Sequence, residues 1–484
     1  MANETYYEID KDNNIIDILT GNPIQNTPEE RVRQNYIWIL INDYGYPKHL
    51  IRKEVAIQSG RKLLLDEEGN VIRADIIVYL NKAACENKDQ GRINFVVECK
   101  KPTATEGYAQ LVSYIFNTSA SGGVWTNGDS VEVYERKTDG NQRLEEALDL
   151  PRHGEGWDGD TIPTKDELPR PKNVRFLLAT CHNKLYGRGM ENADFDLTMD
   201  MVRILLAKIQ DETNTGSTPA FWVTKKDFKT AAGRREAAKR IRGLFRQYAD
   251  QYPDVFDATE TIMVGDDCIV EAAGVLQGWS LAARSDEADD WDLMGETYEQ
   301  FTHINLKRQQ GQYFTNRLVI DMIMDMLDPE VGDRILDPAG GGGGFATAAF
   351  RHLRRKVVAT TTAGSAQRER QISGIKESVY LVEIASRLVK IAKCAMLLTG
   401  DGQSGMTRGN TLGAYENLDP WITSHCRRGT TNAPNVIATN PPSRDRRLSP
   451  RYLTPKYFGD SNLDTHPTLM RMATHASAKS LRIS

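Results

Sequence analysis

The sequence predicts an α/β protein in which two sheet-containing parts are joined by a helical region. In the C-terminal part, short apolar segments at 334–336, 379–382 and 436–439 predict strands, and each is followed by polar or glycine-rich residues. In the N-terminal part, three further β-prone segments lie within 54–100. Residues 173–310, between the two parts, have mainly helical periodicity. These observations favour an α/β fold at each end of the chain.

Length, charge and cysteine usage limit the classes of protein that the sequence can encode. A chain of 484 residues is long enough for two or three domains. Its formal net charge of −5 gives no overall basic field, so any contact with DNA must come from local patches. Six scattered cysteines without a Cys-x-x-Cys pair argue against a zinc site and favour a reducing compartment. The polar first residues are unlike a signal peptide, and no apolar run approaches the ~18 residues of a membrane span. The sequence therefore favours a cytoplasmic protein without a membrane partner.

A run of five glycines follows the first strand of the C-terminal part. Asp337-Pro338-Ala339 ends this strand, and Gly340 to Gly344 lead into an apolar run that suits a helix. A glycine-rich turn between a strand and a helix lets the backbone of an open α/β sheet approach a ligand. No Gly-Lys-Ser/Thr closes the run, so it is not a phosphate-binding P-loop. A flexible turn is the alternative for such a run taken alone, and the strands that follow favour the ligand site.

The next two strands also end in residues whose polar groups can bind a ligand or take part in catalysis. Glu383 ends the strand at 379–382, and an acid at that point can bind ribose hydroxyls. Asn440-Pro441-Pro442 ends the strand at 436–439. Upstream, residues 312–315 place two aromatic residues and a helix N-cap candidate before an apolar helix at 318–327. Three such strand ends predict one crevice at the carboxyl edge of a sheet.

These segments resemble the adenine-specific DNA methyltransferases, in particular the modification subunits of type I restriction systems and their single-chain relatives. The family has Gln-Tyr-Phe/Tyr-Thr-Pro-Arg, Asp-Pro-Ala-Cys-Gly-Ser-Gly-Gly-Phe, an acid after the second strand, and Asn-Pro-Pro-Tyr/Phe. The resemblance implies a Rossmann-like domain that uses S-adenosyl-L-methionine at 311–484, with Asn440, Pro441 and Pro442 as catalytic residues. The cofactor-lining residues that it implies are Gln312, Tyr313, Phe314, Thr315, Asn316, Arg317, Asp337, Ala339, Gly340, Gly341, Glu383 and Asn410.

The implied chemistry follows from the residue types. The exocyclic amine of adenine is a poor nucleophile, and hydrogen bonds from it to the Asn440 side-chain oxygen and the Pro441 carbonyl would raise the electron density on its nitrogen. The base must leave the double helix to reach such a site. The family stacks an aromatic residue on that base, but Ser443 stands at this position and supplies no stacking surface.

Other departures from the family pattern bear on the cofactor site and on the end of the chain. Asn316 replaces proline, Gly340 and Gly342 replace cysteine and serine, and Asn410 replaces aspartate. The family's sheet needs roughly three more strands after the Asn-Pro-Pro motif, on the order of 80 residues. Only residues 443–484 follow that motif, and they show no strand periodicity. We therefore expect an incomplete methyltransferase domain, truncated as a frameshift would produce, and a short functional tail is the alternative.

A second set of candidate catalytic residues lies in the N-terminal part. Asp75 lies on one predicted strand, and Glu98 and Lys100 lie on the next. Residues two apart on a strand share a face, so Glu98 and Lys100 point the same way. Two carboxylates can bind Mg²⁺, which lowers the pKa of a bound water, and a lysine can orient that water towards a phosphodiester. A structural ion pair is the alternative.

The surrounding segments resemble the N-terminal domain of type I restriction endonuclease subunits, in the PD-(D/E)xK nuclease superfamily. The matching segments are a helix with Glu30, the strands that carry Asp75 and Glu98, residues 110–114 of a following helix, and a hairpin within 124–134. The resemblance covers about residues 28–136. It implies that Asp75 and Glu98 bind Mg²⁺, that Lys100 is catalytic and that Gln110 is an accessory residue.

The sequence thus predicts four regions. Residues 1–150 form a nuclease-like domain, 151–172 a linker, 173–310 a helical connector and 311–484 the incomplete methyltransferase domain. The connector includes a basic helix at 229–247, which either has a solvated face or contacts backbone phosphates.

Three functions remain open at this point. The first is a restriction-modification protein that methylates adenine in DNA and carries a Mg²⁺-dependent endonuclease-like domain. Its partners would be double-stranded DNA and a specificity subunit or a missing C-terminal target-recognition domain. The second is a remnant that only binds DNA or cofactor, and the third is a protein or RNA methyltransferase, since the Asn-Pro-Pro motif is shared with enzymes that methylate glutamine amides.

Overall fold

A computed structural model describes most of the chain. The described residues are 6–60, 62–66, 68–138, 142–157, 162–186, 194–282, 297, 315–399, 405–413, 417–425, 433–441 and 480–482. The chain forms two compact units. The first unit comprises Met1–Glu191, Asn214–Gly243 and Val264–Ser280, and the second comprises Asn192–Thr213, Leu244–Met263 and Leu281–Ser484.

The first unit is built on a six-stranded mixed sheet. The strands of this unit are β1 (Ile15–Ile16), β2 (Pro23–Ile24), β3 (Ile51–Ala56), β4 (Gln58–Ser59), β5 (Lys62–Leu63), β6 (Arg73–Tyr79), β7 (Ile93–Cys99), β8 (Gly122–Thr126), β9 (Val131–Lys137) and β10 (Arg143–Glu146). The sheet has the order β10-β9-β8-β7-β6-β3, and β1-β2 and β4-β5 form separate two-stranded sheets. Within the large sheet only the pair β7-β8 is parallel.

Helices cover both faces of this sheet. The helices up to residue 280 are α1 (Pro28–Asn42), α2 (Lys82–Asn87), α3 (Tyr108–Asn117), α4 (Val174–Tyr186), α5 (Asp194–Thr213), α6 (Lys225–Lys229), α7 (Ala231–Ala249) and α8 (Asp266–Leu276). Thr27 begins α1, because its hydroxyl accepts a hydrogen bond from the Glu30 N–H at 3.1 Å. The core on the α1 face includes Ile37, Leu40, Ile76, Val78, Phe95 and Val97. The core on the α3 face includes Leu111, Ile115, Ile77, Val96 and Trp125.

The sequence predicted the main strands of this unit but not every element. Residues 81–92, a polar connection in which no helix was predicted, contain α2 and a 3₁₀ turn at Gln90–Arg92. Asn81 caps α2, accepting from the Ala84 N–H at 2.9 Å. The strand β10 was not predicted. The helices predicted within 173–310 are present, and they are distributed between the two units.

The second unit is built on a parallel sheet with the order β13-β12-β11-β14-β15. Its strands are β11 (Ile335–Asp337), β12 (Val379–Glu383), β13 (Met406–Arg408), β14 (Val436–Thr439) and β15 (Ser480–Arg482). All four strand pairs are parallel. The three predicted strands are confirmed as β11, β12 and β14. Residues 443–484, in which no strand periodicity was visible, include β15, which pairs with β14; three residues are too few for a periodic pattern to appear.

Helices also cover both faces of the parallel sheet. Besides α5, the helices described in this unit are α9 (Arg317–Leu327), α10 (Gly344–Thr360), α11 (Ala366–Lys376), α12 (Ser386–Leu398) and α13 (Pro420–His425). One core includes Ile320, Ile323, Phe345, Phe350, Leu353, Val379 and Leu381. A smaller core on the other face consists of Leu336, Tyr380, Val382, Leu418, Ile422 and Ile437. Burial on both faces explains why these strands are continuous apolar runs.

None of the helices in the described part of the chain combines the length and the apolar character that crossing a bilayer requires.

Asp337 ends β11 as a buried carboxyl. It is 2% exposed, and its Oδ1 accepts a hydrogen bond from the Ala339 N–H at 3.1 Å. Burial raises the pKa of Asp337 to about 7, although its hydrogen bonds lower it. The folded chain therefore binds the proton of this carboxyl more tightly than the unfolded chain does.

We predict that Asp337 makes the free energy of unfolding decrease as pH rises from about 4 to about 7. In this window the unfolded chain releases the proton and the folded chain keeps it, which costs the folded state on the order of 1 kcal/mol per pH unit. Urea unfolding of wild type and Asp337→Asn from about pH 5 to about pH 8 measures the effect. The stability of the variant relative to wild type should increase with pH and level off above about pH 7. A difference that is constant with pH would contradict this role.

Candidate functional site

The parallel register of the second sheet brings three strand ends to one edge. Ile335 of β11 is paired with Val379 of β12 on one side and with Val436 of β14 on the other. Since all three strands run the same way, their carboxyl ends meet at the same edge. The glycine-rich turn, Glu383 and Asn440 therefore lie along one edge of the sheet, as the sequence predicted.

The glycine-rich turn lies closely against β12. The Gly340 N–H donates to the Val382 carbonyl at 3.1 Å, and a Cβ on Gly340 would lie 2.1 Å from the Leu381 Cγ. The cysteine that the family has at this position would therefore require Leu381 to move. Gly341 has a φ of +51°, and no described atom lies within 4 Å of a Cβ built on it. At Gly341 the backbone conformation, rather than lack of space, favours glycine.

Glu383 is fixed by backbone groups on both sides. Its Oε2 accepts a hydrogen bond from the Gly341 N–H at 3.0 Å, and its Oε1 accepts one from the Ala385 N–H at 2.9 Å. A carboxylate has about four lone-pair sites, so each oxygen can accept one further hydrogen bond. Glu383 is thus held next to the turn with acceptor capacity left for a ligand.

Two exposed apolar side chains follow the ends of β12 and β13. Ile384 is 62% exposed and Leu412 is 64% exposed. The Leu412 N–H donates to Asn410 Oδ1 at 3.1 Å, and the Thr411 hydroxyl donates to the Pro338 carbonyl at 2.9 Å, which ties this loop to the turn. The predicted site residues did not include Ile384 and Leu412. Ile384 directly after Glu383 and Leu412 two residues after Asn410 were the available signal, because ligand sites combine apolar surface with a few polar groups.

Asn440 is held by the segment that precedes α9. Its Nδ2 donates to Thr315 Oγ1 at 3.0 Å, and in this assigned orientation of the amide the Oδ1 remains as an acceptor. Asn316 caps α9 by accepting from the Leu318 N–H at 2.9 Å, so it replaces the family's proline as a helix start. Arg317 is the first residue of α9.

The structure describes only some of the remaining predicted cofactor-lining and catalytic residues. Asp337 is buried below the turn, where it accepts from Ala339, and Pro441 is half-buried directly after Asn440. Gln312, Tyr313, Phe314, Pro442 and Ser443 lie outside the described residues. Their roles stay predictions.

The first unit brings the predicted nuclease residues together. The antiparallel register pairs Ile76 with Val97, which puts Asp75 of β6 next to Glu98 of β7. Lys100 Nζ lies 2.5 Å from Glu98 Oε1. Asp75 Oδ2 accepts a hydrogen bond from the Cys99 N–H at 2.7 Å. Two carboxylates and an ammonium group therefore occupy one end of this strand pair.

Glu98 is a buried carboxyl whose hydrogen bonding is incomplete. It is 2% exposed, and its Oε2 has no hydrogen-bond partner among the described residues. Burial raises the pKa of Glu98 to about 8, the negative charge of Asp75 adds to this, and the contact with Lys100 lowers it. A buried carboxylate oxygen without a partner is costly, and a bound cation would satisfy it. The residues present therefore fit a divalent cation.

Gly107 leaves room for the Lys100 side chain. Gly107 precedes α3 with a φ of +117°, and a Cβ on it would lie 2.6 Å from the Lys100 Cε and 2.9 Å from the Trp125 Nε1. Gln110 lies in the first turn of α3 and is exposed, and its side chain makes no hydrogen bond within the described part of the chain. Its accessory role stays a prediction.

Arg33 of α1 is the central cation of the cluster, and sequence analysis missed it. Its side chain is 8% exposed and forms ion pairs with Asp75, with Glu30, with Glu54 at 2.7 Å and with Glu29 at 3.7 Å. Glu30-x-x-Arg33 on one helix was the available signal. Across the described ranges, no group of three or more His, Cys, Asp or Glu side chains is arranged to hold a metal ion.

The basic helix at 229–247 corresponds to α7, and protein groups bind most of its arginines. Arg234 pairs with Asp267 at 2.5 Å, and Arg242 with Asp266 at 2.6 Å. Arg240 donates to the Ala220 carbonyl at 2.9 Å, and Arg246 pairs with Asp250 at 2.7 Å. These contacts favour a structural role over binding of backbone phosphates.

Comparison with known proteins gives two family matches, one in each half of the chain. Residues 28–151 match the family described as Type I restriction enzyme R protein N terminus, and residues 289–462 match the family described as N-6 DNA Methylase. The first match contains the carboxylate cluster, and the second contains the three strand ends.

Individual relatives match parts of the chain. It is 29% identical over 126 residues to the Type II restriction enzyme and methyltransferase RM.BcgI of Heyndrickxia coagulans, covering 25% of this chain and 18% of the relative. It is 29% identical over 152 residues to the Type I restriction enzyme EcoEI methylase subunit of Escherichia coli, covering 31% of this chain and 27% of the relative. The matched part thus spans less than a third of these relatives' length.

Among solved structures, the chain is similar to a modification subunit ascribed to a type I restriction enzyme of Vibrio vulnificus YJ016. The sequence identity is 16%, the TM-score is 0.35, and the match covers 58% of this chain and 62% of that chain. The two family matches thus identify, within this chain, a segment of the Type I restriction enzyme R protein N terminus family followed by a segment of the N-6 DNA Methylase family.

Proposed function

We propose that the second unit methylates the exocyclic amine of adenine in DNA and uses S-adenosyl-L-methionine as its cofactor. The observation that carries this proposal is the shared sheet edge, where Glu383 is fixed by the glycine-rich turn and Asn440 is fixed by Thr315. One group is suited to hold a nucleoside, and the other is suited to accept a hydrogen bond from an amine.

The residues at this edge fit the cofactor. Glu383 retains one acceptor site on each oxygen, which suits the two ribose hydroxyls of a nucleoside. Ile384 and Leu412 supply exposed apolar surface for a flat ring. The polar Asn410 is exposed beside them. When bound, S-adenosyl-L-methionine would supply an electrophilic methyl group.

Asn440 is the residue that prepares the amine. Because Thr315 Oγ1 accepts from Asn440 Nδ2, the Asn440 Oδ1 is the oxygen left to accept a hydrogen bond from the adenine amine. The Pro441 carbonyl can accept the second amine hydrogen. Both contacts orient the amine and increase the electron density on its nitrogen. Neither an amide nor a backbone carbonyl takes up a proton near neutral pH, so the proton that the amine loses when the methyl group is attached passes to water.

The family matches favour DNA over protein or RNA as the substrate. The matched family is described as a DNA methylase, and the EcoEI relative is described as a methylase subunit of a type I restriction enzyme. By extension we propose double-stranded DNA as substrate and a specificity subunit as partner of this chain. A protein or RNA methyltransferase has no comparable support.

We further propose that the first unit is a Mg²⁺-dependent endonuclease-like domain. Its support is the juxtaposition of Asp75, Glu98 and Lys100, together with the buried Glu98 oxygen that lacks a partner. Asp75 and Glu98 would hold the ion, which when bound would polarise a phosphodiester and acidify a water molecule. Lys100, anchored on Glu98, would orient that water and stabilise negative charge on the phosphate.

Replacing Glu383 with glutamine should weaken the binding of S-adenosyl-L-methionine at least tenfold, or about 1.4 kcal/mol. The amide keeps the size of the carboxylate but loses the charge that strengthens hydrogen bonds from ribose hydroxyls. Isothermal titration calorimetry on the full chain measures the dissociation constant. Glu377→Gln is the matched control, since Glu377 is exposed at the opposite end of β12. Equal weakening in both variants would contradict the role of Glu383.

Replacing Asn440 with alanine should reduce methyl transfer by about 10²–10³-fold, because it removes an acceptor that polarises the amine. The dissociation constant of S-adenosyl-L-methionine should change little. Transfer of a tritiated methyl group to unmethylated duplex DNA, with identification of N6-methyladenine, measures the rate. Thr315→Val should cause a smaller loss, because it releases the amide without removing it. Wild-type chain that binds the cofactor but transfers no methyl group to DNA would favour the non-catalytic remnant.

Replacing Glu98 with glutamine should abolish Mg²⁺-dependent nicking of supercoiled DNA, because the ion loses one of its two carboxylate ligands. Removing Mg²⁺ from wild type with a chelator should have the same effect. Glu86→Gln, an exposed position on α2, is the control and should leave nicking unchanged. Nicking that persists in Glu98→Gln would contradict the nuclease proposal and leave the methyltransferase proposal unaffected.

A further inference from the structure

We infer that Arg33 competes with the divalent cation for Asp75, and that Glu54 is the residue that retains Arg33 when the cation binds. This inference rests on the proposed metal site of the first unit. It assigns roles to two residues that the resemblance to nucleases left without one. Both act through Asp75, so both are positioning residues.

Both oxygens of Asp75 are engaged by groups of the protein. Oδ2 accepts from the Cys99 N–H at 2.7 Å, and Oδ1 contacts Arg33 Nη2. The guanidinium is buried and lies among carboxylates from α1, β3 and β6. An ion that binds between Asp75 and Glu98 must therefore approach a fixed positive charge. Two cations within about 4 Å of each other repel strongly in a partly buried site, so the ion and Arg33 cannot share Oδ1.

Glu54 is already in contact with the same nitrogen. Arg33 Nη2 lies 2.7 Å from Glu54 Oε1 and also contacts Asp75 Oδ1. Arg33 Nη1 meanwhile contacts Glu30 one turn earlier on α1. The guanidinium can thus break its contact with Asp75 and keep its ion pairs with Glu30 and Glu54. Displacement of Arg33 requires a small shift rather than a rotamer change.

The backbone of Glu54 is unusual for a strand residue. Its φ is +56°, in the left-handed region that disfavours side chains. The register of β3 with β6 pairs Lys53 with Ile76 and Val55 with Ala74, but the pair between them is missing. The strand is thus irregular opposite Asp75, and irregularities of this kind redirect side chains near functional sites. Here the redirected side chain is the acceptor of Arg33.

The cluster contains more acidic than basic groups, and this excess of negative charge favours the binding of a cation. The carboxylates in the network of ion pairs around Arg33 are Asp17, Glu29, Glu30, Glu54 and Asp75. The basic groups are Arg33 and Lys53. The acids therefore outnumber the bases by three. Burial raises the pKa of Glu29, to which the charge of Asp75 contributes, as expected where negative charge is under-compensated.

The test is a Mg²⁺ titration of the full chain, without DNA, by isothermal titration calorimetry. Arg33→Gln should tighten Mg²⁺ binding about tenfold, because the competing charge is removed. Glu54→Gln should weaken it by a similar factor, because Arg33 then depends more on Asp75. Arg143→Gln, which breaks an exposed ion pair with Glu145 in the same unit, is the control and should change nothing.

Combining the two substitutions separates this role of Glu54 from direct ligation of the ion. If Glu54 acts only through Arg33, Glu54→Gln should have no effect in the Arg33→Gln background. If Glu54 is itself a ligand, it should weaken binding in both backgrounds, which would overturn its assigned role. Glu54 has a half-exposed side chain, so its single variant remains informative if Arg33→Gln fails to fold.

The outcomes also separate this inference from the nuclease proposal. Wild-type chain that binds no Mg²⁺ would overturn both. If wild type binds Mg²⁺ and Arg33→Gln binds it equally tightly or more weakly, the competition between Arg33 and the cation is overturned and the nuclease proposal stands. Thermal unfolding in a chelator gives a second readout. Arg33→Gln should lower the melting temperature of the metal-free chain, since it leaves buried carboxylates unpaired, and added Mg²⁺ should raise it more than in wild type.

Discussion

The hydrogen bond from the Gly341 N–H to Glu383 Oε2 is the contact on which the proposed methyltransferase site depends. It joins the end of β12 to the glycine-rich turn after β11, and it requires the parallel pairing of these strands. The close packing of Gly340 on Leu381 allows the turn to come near enough. With the turn and Glu383 fixed, the exposed Ile384 and Leu412 add apolar surface beside them. Glu383 thereby contributes acceptor sites without having to be ordered by the ligand.

The two candidate sites differ in how their carboxylate charges are compensated. In the second unit, a single carboxylate is satisfied by two backbone N–H groups and needs no counterion. In the first unit, acids outnumber bases, Arg33 bridges several carboxylates, and one buried oxygen of Glu98 has no described partner. The first arrangement suits a neutral, hydroxyl-bearing part of a ligand. The second suits a cation, because a charge deficit in a buried site favours positive ligands.

The sequence predicted the parts of these sites that local patterns determine. Apolar runs followed by Asp337, Glu383 and Asn440 predicted three strands and their shared edge, because parallel strands place their ends together. Asp75 and Glu98 were placed on neighbouring predicted strands, and the antiparallel register puts them opposite each other.

Features that depend on tertiary contacts were missed. Arg33 contacts Asp75 only through the packing of α1 against β6, which the sequence of α1 does not indicate. The positive φ of Glu54 is likewise not indicated by the residues around it. The strand β15 is too short to show alternation. Leu381 restricts Gly340 through packing that no motif encodes. Ile384 and Leu412 were missed for a different reason, since their apolar character was visible but was not combined with the polar residues beside them.

The most direct test of the account is a crystal structure of the full chain with S-adenosyl-L-methionine bound. The account predicts the ribose hydroxyls in hydrogen-bond contact with Glu383 and the purine against Ile384 and Leu412, with the glycine-rich turn unchanged. A ligand bound away from the carboxyl edge of β11, β12 and β14 would contradict it, as would a Glu383 carboxylate that makes no contact with the ribose.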